Sequence, residues 1–264
     1  MPELPEVQTV CDELENFLPG RHFSQIITLR DKIRVPIPDL TVIEGLKIKQ
    51  VHRRAKYIVI NLTDNPPLII HLGMSGKITI GEPQERKKHD HVVFELDDGS
   101  EMVFNDARRF GLVTLGGDDL FAHLGVEPLS EEFDTDYLYA KLSNKSAPVK
   151  NIIMNQEVVV GVGNIYASEA LFRSGILPSR AANKIKHKEC ELLVQNIKAV
   201  LREAIASGGS TLRDYVRSSG DLGYFQHSHK VYGREGEACV SCSSEIKMMR
   251  QAGRSSFYCS ICQS

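Results

Sequence analysis

No stretch of this 264-residue chain approaches the roughly 20 consecutive apolar residues that a membrane-spanning helix needs, so a helical anchor is excluded. Its first residues lack the basic-then-apolar layout of a secretory leader, and we expect a cytosolic protein. A surplus of one charge is missing too. Lys and Arg total 32 against 34 Asp and Glu, a formal net charge of -2, so composition gives no global sign of a polyanionic partner. Internal repeats and low-complexity tracts are absent, which removes solenoids and disordered arrays. What remains is a globular protein, 42% hydrophobic and long enough for two domains with separate cores.

Charge is uneven along the chain even though it balances overall. Residues 141–189 hold eight basic and three acidic side chains, and residues 230–254 hold five and three. A cleft built from these segments would be positive on a neutral protein, although an ordinary solvated surface has the same composition. Val7, Val10, Leu14, Phe17 and Leu18 fall at helical spacing and predict a helix over 6–18, ending near Pro19-Gly20. Short β-branched or alternating segments follow at 26–29, 47–51, 57–62, 68–72, 77–80, 91–96, 101–105 and 112–115. Asp97-Asp98-Gly99-Ser100 reads as a hairpin turn between two of them. This pattern predicts a sandwich or barrel rather than a parallel sheet. After Pro128 the pattern turns helical, over 134–143, 148–155, 165–174 and 187–207, and a cysteine-bearing tail begins near His229.

Cys239, Cys242, Cys259 and Cys262 form C-x2-C-x16-C-x2-C, the spacing of a four-thiolate zinc site. A reducing cytosol argues against two disulfides. A tail this short buries little apolar surface, so metal binding should supply most of its folding energy. Lys247, Arg250 and Arg254 on the intervening hairpin suggest a basic finger for phosphate, with a plain structural clip as the other reading. Cys11 and Cys190 lie on predicted helices and read as small core residues.

The chain opens Met1-Pro2-Glu3-Leu4-Pro5-Glu6. Loss of Met1 leaves Pro2 with a free secondary amine. An α-amino group with a pKa near 7.7 is about two-fifths neutral at pH 7.5, whereas an ordinary lysine is roughly one part in a thousand neutral. Such an amine can attack an aldehyde-like sugar carbon, and Glu3 stands where an acid for the departing or opening oxygen belongs. By itself the segment reads more readily as a residue that merely permits methionine trimming than as a catalytic one.

Taken together, Pro2-Glu3-Leu4-Pro5-Glu6-Val7, Arg53-Arg54-Ala55-Lys56-Tyr57, His71-Leu72-Gly73-Met74-Ser75-Gly76, Lys88-His89-Asp90-His91, Arg108-Arg109-Phe110-Gly111, Val159-Val160-Gly161-Val162-Gly163-Asn164-Ile165-Tyr166, Val231-Tyr232-Gly233-Arg234 and the cysteine tail resemble bacterial formamidopyrimidine-DNA glycosylase over essentially the whole chain. The resemblance implies an α+β multidomain protein. Its parts are an N-terminal catalytic β-sandwich with a leading helix (1–128), a helical helix-two-turns-helix DNA-binding domain (129–228) and a four-cysteine zinc-finger hairpin (229–264), with duplex DNA in the cleft between domains. It implies a monomeric bacterial cytosolic enzyme with one structural zinc ion, no small-molecule cofactor, and damaged double-stranded DNA as partner. The implied activity is excision of oxidised purines through a Pro2 Schiff base, then strand cleavage by β- and δ-elimination.

Roles follow residue by residue from the same resemblance. Pro2 is the nucleophile, Glu3 the acid, Lys56 the proton donor of the first elimination and Arg254 that of the second. A guanidinium gives up a proton poorly, so positioning phosphate is the physically safer role for Arg254. Met74 and Phe110 wedge the base stack left open by the extruded nucleotide, and Arg108 bonds the orphaned cytosine. His71, His89, Lys145 and Asn164 contact phosphate, Asn164 at a glycine-rich helix start suited to anions. Departures from the family pattern are Gln8 for glutamate, Ala107 for proline, Glu157 for lysine, and the changed segment 217–224, and they leave base choice less fixed than reaction type. The rival readings are an endonuclease VIII-like enzyme for oxidised pyrimidines and a lesion-binding zinc protein that does not cut.

Overall fold

A computed structural model describes residues 2–64, 66–210 and 225–264. The chain divides into two compact units, one comprising 1–122 with 207–226, the other 123–206 with 227–264. The altered 217–224 segment lies outside the described residues.

The first unit begins with α1 (Leu4–Phe17), whose Leu4, Val7, Val10, Cys11 and Leu14 form one buried face. It starts two residues before the periodicity predicts. Pro5 is tolerated in a first turn, and the Glu6 carboxylate supplies an acceptor 2.8 Å from the Glu3 N–H. Among the described residues, eight strands follow in this unit: β1 (Phe23–Thr28), β2 (Ile48–Arg54), β3 (Tyr57–Leu62), β4 (Leu68–His71), β5 (Gly76–Gly81), β6 (Asp90–Leu96), β7 (Glu101–Asp106) and β8 (Leu112–Leu115). They make two antiparallel sheets, ordered β1-β6-β7-β5 and β2-β3-β4-β8. Phe23, Phe94 and Phe104 from one sheet and Ile58, Ile60, Leu68 and Ile70 from the other share a single core with α1, as a sandwich requires. The 97–100 turn is present, with Gly99 at φ +85°. A register shift between Asp90 and Val92 accompanies a buried His91 whose Nε2 lies 2.7 Å from the Asp106 carbonyl.

The second unit holds α2 (Thr135–Ser143), α3 (Val149–Ile153), α4 (Asn164–Arg173), α5 (His187–Ala206) and the hairpin β9 (Ile246–Gln251) with β10 (Arg254–Cys259). Leu193, Ile197, Val200, Leu201 and Ala204 make the buried face of α5. The fully buried Glu169 carboxylate on α4 accepts backbone N–H bonds from Lys230, Val231 and Tyr232 at 2.9, 3.0 and 2.8 Å, tying the approach to the hairpin onto the helix. Cys11 and Cys190 are buried as expected; burial raises both thiols, that of Cys190 to about 11. No helix among the described residues is long and apolar enough to cross a membrane.

Candidate active site and zinc centre

Pro2 and Glu3 sit buried at the head of α1, where the N-terminal end of the helix favours negative charge. Glu6 holds this corner. One of its oxygens takes the Glu3 N–H, and the other accepts the Ser210 N–H at 2.8 Å. Gly209 (φ +78°) lies against Glu6, and a Cβ there would stand 3.1 Å from the Glu6 side chain.

Arg53 joins α1 to the hairpin that carries Lys56. Its Nε donates to Gln8 Oε1 and its Nη1 to the Ala55 carbonyl, each at 2.8 Å. Gln8, a departure from the family pattern, therefore retains an acceptor for Arg53. Arg54 pairs with Tyr57, so β2 and β3 turn through Ala55 and Lys56 alone, with Ala55 in the left-handed region at φ +53°. Lys56 is 7% exposed rather than solvated at a strand end.

Beside it, Tyr57 and His71 rings lie 4.8 Å apart. His71 Nδ1 accepts the Gly73 N–H at 2.9 Å, which places the ring proton on Nε2 and leaves that N–H as the donor. Burial lowers the His71 pKa to about 4, helped by the Lys56 and Arg34 charges and opposed by Asp106. The unfolded imidazole titrates near 6.5, so the unfolded chain binds the extra proton between the two values. The contribution of His71 to stability is thus fully present above pH 6.5 and is lost as pH falls toward 4, at most about 3 kcal/mol. Urea unfolding at pH 7.5 and 4.5 should show a smaller pH difference for His71→Gln than for the parent.

Met74 follows in the turn after β4, next to Gly73, whose backbone packs closely on that of Phe110 and Gly111. A Cβ on Gly73 (φ +62°) would meet the Gly111 nitrogen and the Phe110 carbonyl carbon at 2.5 Å, so only glycine allows this approach. Phe110 is 47% exposed, and the Arg108 guanidinium lies 5.3 Å from its ring centroid. Beneath them Asp106 is fully buried. Its carboxylate accepts the Ser75 hydroxyl at 2.6 Å, the Gly111 N–H at 2.8 Å and the Arg108 N–H at 3.2 Å, and its own N–H donates to the His89 carbonyl at 3.0 Å. Sequence reasoning missed Asp106, Ser75 and His91. The usable signal was an Asp two residues before Arg108, a position from which a carboxylate caps backbone N–H groups. Ala107, where the family pattern has proline, lies exposed in this turn.

In the second unit Asn164 opens α4, and its Nδ2 donates to the Ser255 carbonyl at 2.9 Å. Lys150 is buried and reaches the same carbonyl at 3.2 Å and the Ser256 hydroxyl at 2.9 Å. Together they fix β10 one residue beyond Arg254, which is exposed at the end of the Ala252-Gly253 turn. Lys145 is exposed after α2, and its carbonyl accepts the Asn183 N–H. Glu157 is exposed as well, so its charge faces solvent.

The sulfurs of Cys239, Cys242, Cys259 and Cys262 all lie within 4.8 Å of one another, with Cys242 and Cys259 at 3.4 Å and Cys239 and Cys262 at 3.9 Å. Zinc–sulfur bonds of about 2.3 Å in a tetrahedron demand sulfurs about 3.8 Å apart, so the four thiolates fit one structural zinc ion. Phe172, Val231 and Ile246 pack around Cys239 and Cys259.

Three family models match in order: the formamidopyrimidine-DNA glycosylase N-terminal domain at 1–113, the helix-two-turns-helix domain of the same glycosylase at 124–216, and the zinc finger found in FPG and IleRS at 236–264. The formamidopyrimidine-DNA glycosylases of Paracoccus denitrificans and Rickettsia africae are 46% and 44% identical, each over 100% of this chain and over 100% and 99% of their own. Among solved structures, the MutM (Fpg) protein of Thermus thermophilus superposes with a TM-score of 0.90 at 36% identity, covering 99% of this chain and 98% of that one. Lactococcus lactis Fpg in complex with abasic-site DNA gives 0.91 at 33%, covering 99% of both. A buried Pro2-Glu3 head, an exposed Phe110 in the same unit, a four-thiolate zinc centre and full-length likeness converge on one conclusion: the chain belongs to the formamidopyrimidine-DNA glycosylase family and is a base-excision repair DNA glycosylase.

Proposed function

We propose that the protein extrudes an oxidised purine, 8-oxoguanine or a formamidopyrimidine, from damaged duplex DNA, excises it through a Pro2 Schiff base, and then cuts the strand by successive eliminations. The observation that carries this reading is the linked set in the first unit. Arg53 connects the helix headed by Pro2 and Glu3 to the Lys56 turn, Tyr57 connects that turn to His71, and Gly73 connects His71 to the Met74 and Phe110 wedge.

In this reading the Pro2 nitrogen attacks the anomeric carbon as the bond to the base breaks, the base leaves on its glycosidic nitrogen with the proton given up by the Pro2 amine, and the Glu3 carboxyl protonates the ring oxygen as the sugar opens to the iminium. The iminium acidifies the neighbouring sugar protons. Lys56 serves the first elimination, and Arg254 holds the phosphate that leaves in the second. His71 Nε2, His89, Lys145 and Asn164 are phosphate contacts. Met74 and Phe110 fill the vacated stack and Arg108 reads the orphaned cytosine. The substrate is chromosomal DNA, which in a bacterium lies in the cytosol, and the protein acts there.

A Lactococcus lactis relative, 32% identical, has been solved with DNA containing an oxidised pyrimidine, so oxidised pyrimidines belong in the test. Duplexes with 8-oxoguanine opposite cytosine, formamidopyrimidine or oxidised thymine should all be incised, the purine lesions fastest. Tight binding with every strand left intact would instead identify a recogniser that does not cut. Arg108→Ala should lower discrimination between cytosine and adenine opposite the lesion by about tenfold to a hundredfold, the worth of one bidentate base contact. Unchanged discrimination removes that role from Arg108.

A further inference from the structure

Residues 82–89 join β5 to β6 and end in Lys87-Lys88-His89. Beneath this loop, on the face of the β5-β7-β6 sheet, lies a cavity of about 250 Å³ whose lining includes Lys77, Thr79, Val103 and Asn105. A loop arched over a hollow is not held down by packed side chains. Its hold is polar instead. Glu101, 4% exposed at the start of β7, accepts two hydrogen bonds from Arg86 Nη1 at 2.7 and 2.6 Å and one from the Gln84 N–H at 3.1 Å. That buried carboxylate has its charge balanced from the loop, so lifting the loop would leave it unpaired.

At the far end, Asp90 accepts the Lys87 N–H at 2.6 Å and the Asn105 side chain at 2.7 Å. The His89 carbonyl takes the Asp106 N–H, one bond from the wedge turn. We propose that Glu101 and Arg86 form a clasp that positions Lys87, Lys88 and His89 for the phosphate backbone, at a height fixed relative to Met74 and Phe110. Neither clasp residue touches the reacting atoms; both are positioning residues. The inference rests on the reading of His89 as a phosphate contact.

Charge alone predicts the opposite sign, which makes the test sharp. Neutralising an acidic residue should tighten binding to a polyanion, whereas loosening the clasp weakens it. The test uses the full-length zinc-loaded enzyme and a duplex carrying a tetrahydrofuran abasic analogue, with Kd measured across a salt series. Glu101→Gln should weaken binding about fivefold and make the salt slope shallower by about one. The same variant should be cut by trypsin after Lys87 and Lys88 about fivefold faster, because the loop opens more often. Arg86→Lys, which keeps a charge partner for Glu101, should show only part of both effects. Adding Glu101→Gln to a Lys87→Ala, Lys88→Ala, His89→Ala protein should cost no further affinity. Equal or tighter DNA binding by Glu101→Gln, or unchanged trypsin sensitivity, overturns the clasp while leaving His89 as a contact. Parental affinity in the triple variant removes the phosphate reading and the proposal with it.

Discussion

A protein that keeps Met1 should form no borohydride-reducible crosslink with lesion-bearing DNA, whereas the trimmed protein should be trapped in full. With methionine attached, the Pro2 nitrogen is a tertiary amide with no basic lone pair, so no iminium can form. Glu3→Gln should separate two steps that the trimmed parent performs in sequence. On 8-oxoguanine DNA the lost acid should slow base release by about a hundredfold to ten-thousandfold, the usual worth of positioned proton transfer. On DNA with a pre-formed abasic aldehyde the base has already gone, and trapping should persist. The amide keeps the size of the carboxyl, and the Glu3 N–H still reaches Glu6, so the head of α1 should hold its shape. A crosslink of normal yield from Met1-retaining protein, with the terminus verified by mass spectrometry, would remove Pro2 from the reaction. Equal loss of trapping on both substrates would move the role of Glu3 from base release to the aldehyde step.

The elements of this fold were legible because their signals are local. The sandwich strands and the later helices lie where alternation and helical spacing put them, with ends shifted by a few residues. The exposure of Phe110 was legible only through the neighbouring glycine, and the structure gives the physical reason: the Gly73 backbone must touch that of Phe110 and Gly111, while Met74 is only partly exposed. Lys56 is harder. Its turn uses Ala55 at positive φ instead of the Asn-Gly or Asp-Gly that announces a two-residue hairpin, so no turn signal separates the two strands there. The residues that hold the site together leave little signal: for Asp106 only its place two residues before Arg108, and for Glu169 none. Asp106 gathers groups from residues 75, 89, 91, 108 and 111, and Glu169 gathers the 230–232 backbone across some sixty positions of sequence. No periodicity marks such pairings, because a buried carboxylate and a surface one are spelled alike. Lys150 makes the same point: in the sequence it is one more basic residue of 141–189, yet its ammonium is buried against Ser255 and Ser256.

Removing zinc should lower incision by more than about a hundredfold while leaving most helical signal intact. Four thiolates with no metal repel one another, and the apparent binding energy of a structural zinc, about 10–16 kcal/mol, is folding energy that the hairpin then lacks. The remaining apolar support is slight: Phe172, Val231 and Ile246 are the buried partners of the cysteines. When β9 and β10 melt, Ser255 leaves Asn164 and Lys150, and Arg254 loses the turn that sets it. The damage should spread a short way into the helices. Gln263 and Ser264 bond the backbone at 175–177, and the segment feeding the hairpin supplies the three N–H donors that satisfy the buried Glu169. Loss of those donors strands a carboxylate inside α4, so the thermal midpoint should fall as well. The α5 face of Leu193, Ile197, Val200 and Leu201 does not depend on the hairpin, which is why circular dichroism should retain its helical component. Chelation followed by stoichiometric zinc should restore incision, and Cys242→Ser should reproduce the loss without recovery. A metal-free protein that cuts damaged duplex at the parental rate would show that Arg254 is not set by the zinc ribbon.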